Sequence, residues 1–258
     1  MKIRLFDAFG RSFLIKRILM FLFGTIAVYR FSWINKTKVS GSQVLKKLPR
    51  NKVLFVSNHQ TYFADVTGMY QVFGCAKWGI YDRINFPWFL LNPKVGVYFI
   101  AAKETMKAGI LPKLFAYVGS VSIKRSWREA GKEVTRGVDP GDVKKVFTAL
   151  NDGWVITFPQ GTTKPFAPGR RGTAHIIKET KPIVIPVVVD GFNEAFDKKG
   201  LFVRKKGVTL SMRFKEPMDI DYSKSSAQIL DDIMDAIEQS DRFKPQTENL
   251  ELSETNQS

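Results

Sequence analysis

Two histidines and one cysteine are the residues of this 258-residue chain best suited to proton transfer or nucleophilic attack. His59 directly follows a short apolar run, and Asp65 lies six positions further along. A carboxylate that accepts a hydrogen bond from one imidazole nitrogen fixes the tautomer and leaves the other nitrogen free to take a proton. The pair therefore predicts a general base and its orienting group. The alternative interpretation is a helix N-terminus that carries a surface histidine.

A second polar group follows another apolar run. It is the segment 158–163, F-P-Q-G-T-T, with Lys164, Arg170 and Arg171 close behind it. The backbone N–H groups of a tight turn and nearby cations can together hold an anion, so this segment predicts an anion site. A Pro/Gly loop with solvated charges is the alternative.

The remaining reactive side chains are expected to be structural. His175 lies at the start of a predicted helix that packs on the sheet, and Cys75 lies in an apolar stretch and is expected to be buried. One cysteine excludes an internal disulfide, and one cysteine with two histidines falls short of a four-ligand zinc site. No metal site is therefore expected, and no cofactor is expected beyond the substrates.

Alternating strand-like and helix-like segments must position these residues. The predicted strands are 52–57, 97–101, 121–123, 154–158, 183–189 and 208–214, and the predicted helices are 61–73, 110–117, 140–151 and 227–239. Long apolar strands are typical of parallel strands that are covered on both faces. Segment 208–214 alternates and is expected at a sheet edge, and Pro186 within Ile185-Pro186-Val187 suggests an edge or a bulge. The predicted fold class is α/β, with a mixed, mostly parallel sheet flanked by helices.

The charge distribution distinguishes the N-terminal region from the rest of the chain. The net charge is +16, and residues 1–50 hold eleven Lys and Arg against one acidic residue, Asp7. These cations are interleaved with apolar and aromatic residues, which favours an anionic membrane surface over nucleic acid as the partner. The apolar run 18–29 would span only about 18 Å as a helix, less than the ~30 Å hydrocarbon core. A half-inserted helix is therefore predicted, and a buried core helix is the alternative.

Three regions follow from these patterns. Residues 1–48 are predicted to be a basic, apolar, membrane-associated helical arm. Residues 49–243 are predicted to form the α/β domain, and residues 244–258 a disordered polar tail. The expected location is a membrane, with peripheral or monotopic attachment at the cytoplasmic face.

Four ordered blocks resemble the 1-acylglycerol-3-phosphate acyltransferase family, which comprises lysophospholipid and glycerolipid acyltransferases. That family carries N-H-x4-D, then K-x-E-L…P…G…R, then F-P-E-G-T-R-S, then V-P-V. The corresponding positions here are Asn58-His59…Asp65; Lys103-Glu104-Thr105, Pro112, Gly119 and Lys124-Arg125; Phe158-Pro159-Gln160-Gly161-Thr162; and Ile185-Pro186-Val187. The resemblance covers roughly residues 50–220.

The resemblance implies transfer of an acyl group from acyl-CoA or acyl-carrier protein to the hydroxyl of a lysophospholipid, without a covalent acyl-enzyme. By this analogy His59 is the general base and Asp65 orients it. The residues implied in substrate binding are Asn58, Lys103, Glu104, Arg125, Gln160, Gly161, Thr162, Lys164, Arg170, Arg171 and Pro186. The expected partners are the acyl donor, the lysophospholipid acceptor and anionic membrane lipids, and no nucleic acid. Trp33, Trp78, Trp88 and Tyr98 either line an acyl tunnel or fill the core.

Two departures from the family pattern bear on function. Five residues separate His59 from Asp65, where the family has four, and one extra residue would turn a helix by about 100°. The pair can form if the extra residue lies in the turn before the helix or in a π-bulge. Gln160 and Thr163 replace the family's glutamate and arginine, which leaves the acceptor headgroup open. A different lysolipid acceptor and a non-catalytic lipid-binding protein of the same fold are the alternatives.

Overall fold

The computed structural model describes residues 4–107, 109–123 and 139–245. Its strands are β1 Lys36–Ser40, β2 Val53–Ser57, β3 Val97–Ala102, β4 Ser120–Ile123, β5 Trp154–Thr157, β6 Ile183–Asp190 and β7 Thr209–Phe214. Its helices are α1 Phe13–Val28, α2 Ala64–Lys77, α3 Lys103–Lys107, α4 Ile110–Gly119, α5 Pro140–Asp152, α6 Arg171–Thr180, α7 Phe192–Ala195 and α8 Ser226–Ala236. A π-helical segment, Tyr29–Ile34, and 3-10 segments Ser42–Lys47, Pro87–Leu91 and Asp241–Phe243 complete the described elements.

The strands form one sheet in the order β1-β7-β6-β2-β5-β3-β4. Strands β2 to β6 all run in the same direction, and β7 is antiparallel to β6. The predicted mixed, mostly parallel sheet flanked by helices is confirmed. Because β2, β3, β5 and β6 are parallel, the segments that follow them all leave the sheet at one edge, which we call the carboxyl edge.

Alternating side chains of the buried strands divide the core into two layers. In β2, Val53 and Phe55 pack in the layer that contains residues of α1 and α2. Leu54 and Val56 pack in the opposite layer, beneath α5, α6 and α8. Burial on both faces explains why these strands are apolar without interruption.

Helix α1 packs on the domain through one side and leaves the other side open. The Lys16 side chain is fully buried, where its Nζ lies 3.2 Å from Asp7 Oδ2 and faces the ring of Tyr98. Burial lowers the pKa of Lys16 to about 8, and the nearby Asp7 carboxylate opposes this shift. The N-terminal basic residues are therefore not all available to an external surface.

The outward side of α1 is apolar as well. Ile18, Leu22 and Ile26 recur every four residues and are 52%, 53% and 57% exposed. The exposed side chains of Trp88 and Leu91 lie on the 3-10 segment that packs against α1. We call these five residues the α1 face. No helix in the described ranges is long and apolar enough to cross a bilayer.

The structure corrects the expectations about sheet edges. β7 is an interior strand, because β1, which lies inside the predicted arm 1–48, pairs with its outer side. The sheet domain therefore begins before residue 49. β6 is also interior, and Pro186 is tolerated there because it lies opposite Lys215, one residue beyond the end of β7. Residues 246–258, most of the predicted tail, lie outside the described residues.

Candidate active site

The carboxylate of Asp65 accepts hydrogen bonds from several groups of the turn that follows β2. Its Oδ2 lies 3.0 Å from His59 Nδ1 and accepts from the Gln60 N–H at 2.6 Å, and its Oδ1 accepts from Thr61 Oγ1 at 2.7 Å. The Asp65 side chain is fully buried, whereas that of His59 is 12% exposed. A buried carboxylate that accepts from Nδ1 leaves Nε2 as the nitrogen that can take a proton.

The extra residue between His59 and Asp65 lies in the turn and not in the helix. Helix α2 begins only at Ala64, later than the predicted residue 61, and Asp65 lies in its first turn. The segment 60–63 is irregular, and α2 continues to Lys77 without a π-bulge. Because the turn absorbs the insertion, the two side chains meet despite the longer spacing.

Polar side chains tie this turn to the end of β6. Asn58 donates from Nδ2 to Val189 O and accepts at Oδ1 from Val189 N, both at 2.8 Å. The Gln60 side chain accepts from the Phe192 N–H at 2.8 Å. Asn58, which the sequence analysis assigned to substrate binding, therefore has its whole amide engaged by the backbone. In this structure it acts as a positioning residue for His59.

A loop that the sequence analysis did not single out holds the other side of the turn. The N–H groups of Tyr62 and Phe63 donate to the carbonyls of Lys198 and Lys199. Gly200 follows with φ +75°, and a Cβ there would lie 2.6 Å from Ala64 N and 2.8 Å from Thr61 Oγ1. Only glycine allows this close approach, because it has no Cβ and tolerates positive φ.

Phe158 connects the histidine to the segment after β5. Its ring stacks on the imidazole of His59 with a centroid distance of 3.8 Å and an interplanar angle of 20°. The stacking fixes the ring orientation that the Asp65 hydrogen bond leaves open. The first and third sequence blocks thus form one site at the carboxyl edge.

The turn after Phe158 is held by contacts within the protein. Gly161 has φ +60°, and a Cβ there would lie 2.8 Å from Arg170 Cζ, so the Arg170 side chain lies against it. The Gln160 side chain is buried and donates to Ala167 O at 3.0 Å and to Gln239 Oε1 at 3.1 Å. Gln160 therefore holds the loop 161–170 against Gln239, three residues beyond the end of α8.

The other candidate binding residues are spread along the carboxyl edge. Lys164 and Arg171 are exposed, and Arg171 is the first residue of α6. Thr162 is half-buried and accepts from the Lys164 N–H at 3.3 Å. Lys103 and Glu104 are exposed at the start of α3, two strands away from β2 and thus about 10 Å from it.

Two further candidates remain, of which the structure describes one. Pro186 is buried inside β6, four residues before its carboxyl end. Arg125 lies outside the described residues.

An apolar, partly open cavity lies beside α2, the helix that carries Asp65. It is lined by Met20, Phe23, Gly24, Val66, Thr67, Tyr70, Gln71, Phe89, Leu90, Pro93, Phe99, Phe115 and Val118. Val66 and Thr67 are the next two residues of α2 after Asp65, and with Tyr70 and Gln71 they form one wall of the cavity. None of the four aromatic residues proposed for a tunnel lines it. Tyr98 packs in the opposite core layer, and Trp33, Trp78 and Trp88 are exposed.

The competing reactive groups lie elsewhere. Cys75 is a buried free thiol, and burial raises its pKa to about 11, so it is protonated at neutral pH. His175 lies on α6, where it faces neither Asp65 nor another recorded partner among the described residues. No cluster of metal-ligating side chains occurs in the described part of the chain.

Comparisons with known proteins agree with this arrangement. A family model described as acyltransferase matches residues 36–190. The chain is similar to a 1-acyl-sn-glycerol-3-phosphate acyltransferase of Cocos nucifera, with 25% identity over 194 residues, which are 73% of this chain and 53% of that protein. It therefore spans about half the length of this curated relative.

A solved structure has a similar fold. It is the crystal structure of the 1-acyl-sn-glycerophosphate (LPA) acyltransferase PlsC from Thermotoga maritima, with a TM-score of 0.52 and 20% identity. The alignment covers 86% of this chain and 76% of that one. The matched family region contains the dyad, the Phe158 turn and the strands that carry them, and the chain belongs to the acyltransferase family.

Proposed function

We propose that this protein transfers an acyl group from acyl-CoA or acyl-carrier protein to the free hydroxyl of 1-acylglycerol-3-phosphate and so forms phosphatidate. The observation that carries the proposal is His59, oriented by Asp65 at the carboxyl edge. The helix that carries Asp65 also lines an apolar cavity, and a positioned base together with an apolar cavity suits a reaction that joins a hydroxyl to a fatty chain. The family and the name of the Cocos nucifera relative support the same reaction.

In the proposed reaction the acceptor hydroxyl attacks the thioester carbonyl carbon while His59 Nε2 takes its proton. The carbonyl oxygen becomes an oxyanion, and the backbone N–H groups of Thr162 and Thr163 stabilise it, since that of Gly161 already donates to Phe158 O. The C–S bond then breaks, and the leaving thiolate takes the proton back from His59. A thioester is already activated, so a base and oxyanion donors suffice without a covalent intermediate.

The headgroup phosphate of the acceptor is proposed to bind beside the N-terminus of α6. Arg171 begins this ten-residue helix, and Lys164 lies on the preceding loop. The unpaired N–H groups and the dipole of a helix N-terminus favour an anion, and an exposed arginine can bind phosphate through two nitrogens. These groups would take the place of the family's arginine, at whose position this chain has Thr163.

The direct test is acyl transfer by the purified protein in detergent or vesicles. Lysophosphatidate, other lysophospholipids and monoacylglycerol are offered with acyl-CoA and with acyl-carrier protein, and esterified product is measured. We expect phosphatidate as the main product. If only a different lysolipid is esterified, that lysolipid is the acceptor in place of lysophosphatidate. If no pair of donor and acceptor gives a product, the non-catalytic lipid-binding alternative is favoured.

Replacing Arg171 with alanine should raise KM for lysophosphatidate by about 10–100-fold, the range for one charge-assisted hydrogen bond. Initial rates against acceptor concentration measure this effect, and any turnover of monoacylglycerol, which has no phosphate, should keep its KM. Lys144→Ala on the exposed side of α5 is the matched charge control. If Arg171→Ala leaves KM unchanged, a cation other than Arg171 binds the phosphate.

We also propose that the α1 face attaches the protein to anionic membranes. Its five large apolar side chains are exposed, on α1 and on the 3-10 segment that contacts it, and the net charge of +16 favours anionic lipid. Attachment there would bring the cavity, which α1 itself lines, next to the lipids that supply the acceptor.

The triple substitution Ile18→Ser, Leu22→Ser, Ile26→Ser should release the protein from vesicles that contain phosphatidylglycerol. About half of each side chain is available to lipid, and withdrawing the three exposed halves costs about 2–4.5 kcal/mol of binding in total, so the vesicle partition coefficient measured by co-sedimentation should fall by about 30–1,000-fold. The control Phe147→Ser removes a comparably exposed residue, 48%, from α5 on the opposite sheet face. If the triple variant still co-sediments fully, another surface makes the attachment.

A further inference from the structure

Gln71 is a buried amide that lacks a hydrogen-bond partner. It lies on α2, six residues after Asp65, and only 1% of its surface is exposed. Neither Oε1 nor Nε2 makes a hydrogen bond within the described ranges. A buried amide with no partner is uncommon in folded proteins and requires a physical explanation.

The apolar cavity is where this amide lies. Its walls are otherwise built mainly from apolar side chains such as Phe23, Leu90, Phe99 and Phe115. The two other polar side chains of the wall are already satisfied. Thr67 donates to Phe63 O at 2.7 Å, and Tyr70 donates to Val97 O at 2.8 Å. Both hydroxyls have thus used their one donor and can only accept, so among the described lining residues Gln71 alone offers an occupant both a side-chain donor and a side-chain acceptor.

A plain hydrocarbon chain in this cavity would leave both amide atoms unsatisfied and seal them from water. A hydroxyl group on the chain would donate to Oε1 and accept from Nε2, which satisfies both atoms with one substituent. A carbonyl oxygen could satisfy only Nε2. The chemistry of the unpartnered group therefore selects a hydroxyl.

The position of Gln71 indicates which part of the chain would carry this hydroxyl. It lies six positions after Asp65, which is about 9 Å along the axis of α2. Val66, Thr67, Tyr70 and Gln71 lie on one side of the helix, so a chain that starts at the dyad passes the first two before it reaches the amide. The hydroxyl would thus lie in the interior of the chain and not beside the thioester.

We propose that Gln71 is a specificity-determining residue that makes the cavity selective for acyl chains carrying an interior hydroxyl. This inference rests on the proposed function, because it requires the cavity to hold the transferred acyl chain. A site built to hydrogen-bond a substrate hydroxyl rejects the analogue that lacks it, because the buried partner is then left unpaired.

The test compares palmitoyl-CoA with hydroxypalmitoyl-CoA isomers whose hydroxyl is placed at successive positions, all with the acceptor that the wild type uses. We expect kcat/KM of the wild type to favour one interior isomer over palmitoyl-CoA by about 10–100-fold. In Gln71→Leu, which has similar volume and no amide, this ratio should fall to about one or below. Thr67→Val is the matched control, because it removes a wall hydroxyl that is already satisfied and should keep the ratio.

Each outcome is decisive. If the wild type uses all donors equally, the inference is overturned; this is the result expected if Gln71 binds only water. The measurement is made on the wild type and does not depend on the folding of a variant. An interior preference that persists in a folded Gln71→Leu also overturns it. Acyl transfer from no donor at all would instead contradict the proposed function.

Discussion

Replacing His59 with alanine should lower kcat for acyl transfer by about 10²–10⁴-fold, the usual range for loss of a general base. The alcohol of the acceptor is a weak nucleophile that needs a base, and the other imidazole of the chain, His175, lies on α6. Because the His59 side chain lies at the surface of the site and is partly exposed, the variant is expected to fold. Transfer of a radiolabelled acyl group measures the loss, and thermal unfolding checks the fold.

His175→Ala provides the matched control. This variant removes the other imidazole of the chain, which lies on α6 and not in the turn that holds His59 and Asp65. Its kcat should stay within a few-fold of the wild type. Equal losses from both histidine variants would contradict the assignment of His59, as would a folded His59→Ala variant that keeps full activity.

Much of this site could be predicted from the sequence, because the sequence pattern indicates where the buried strands end. Short apolar runs ending at Ser57 and Thr157 predicted parallel strands, and the polar residues after them had to meet at one sheet edge. The meeting is observed as the stacking of His59 on Phe158. The sequence could not decide between an extra residue in the turn and a π-bulge in the helix, because the residues 60–64 are compatible with either structure.

The contacts that hold the site could not be predicted, because they join residues far apart in the chain. Asn58 bonds to Val189, and Gly200 lies against Ala64, and no local pattern encodes either contact. Strand β1 was missed because its alternating lysines conceal a half-buried edge strand. The contact of Gln160 with Gln239, three residues beyond the end of α8, likewise has no local pattern in the sequence.

Replacing Asp65 with asparagine should lower kcat by about 10³–10⁴-fold with little change in side-chain volume. Asp65 accepts from His59, from two backbone N–H groups and from the Thr61 hydroxyl. An asparagine must place its NH₂ group against some of these donors, so the imidazole loses the tautomer that leaves Nε2 unprotonated. Each buried donor left without an acceptor also costs about 1–3 kcal/mol, and the unfolding temperature should fall.

The double variant His59→Ala, Asp65→Asn separates a catalytic role of Asp65 from a merely structural one. If Asp65 acts through His59, removing it from an enzyme that already lacks the base should change kcat little, and the double variant should be about as active as His59→Ala. Asp190→Asn, which alters the carboxylate bonded to Gln60 on the rim of the same turn, should cause a far smaller loss than Asp65→Asn. If the losses at His59 and Asp65 instead multiply, the carboxylate supports the turn independently and does not orient the histidine for proton transfer.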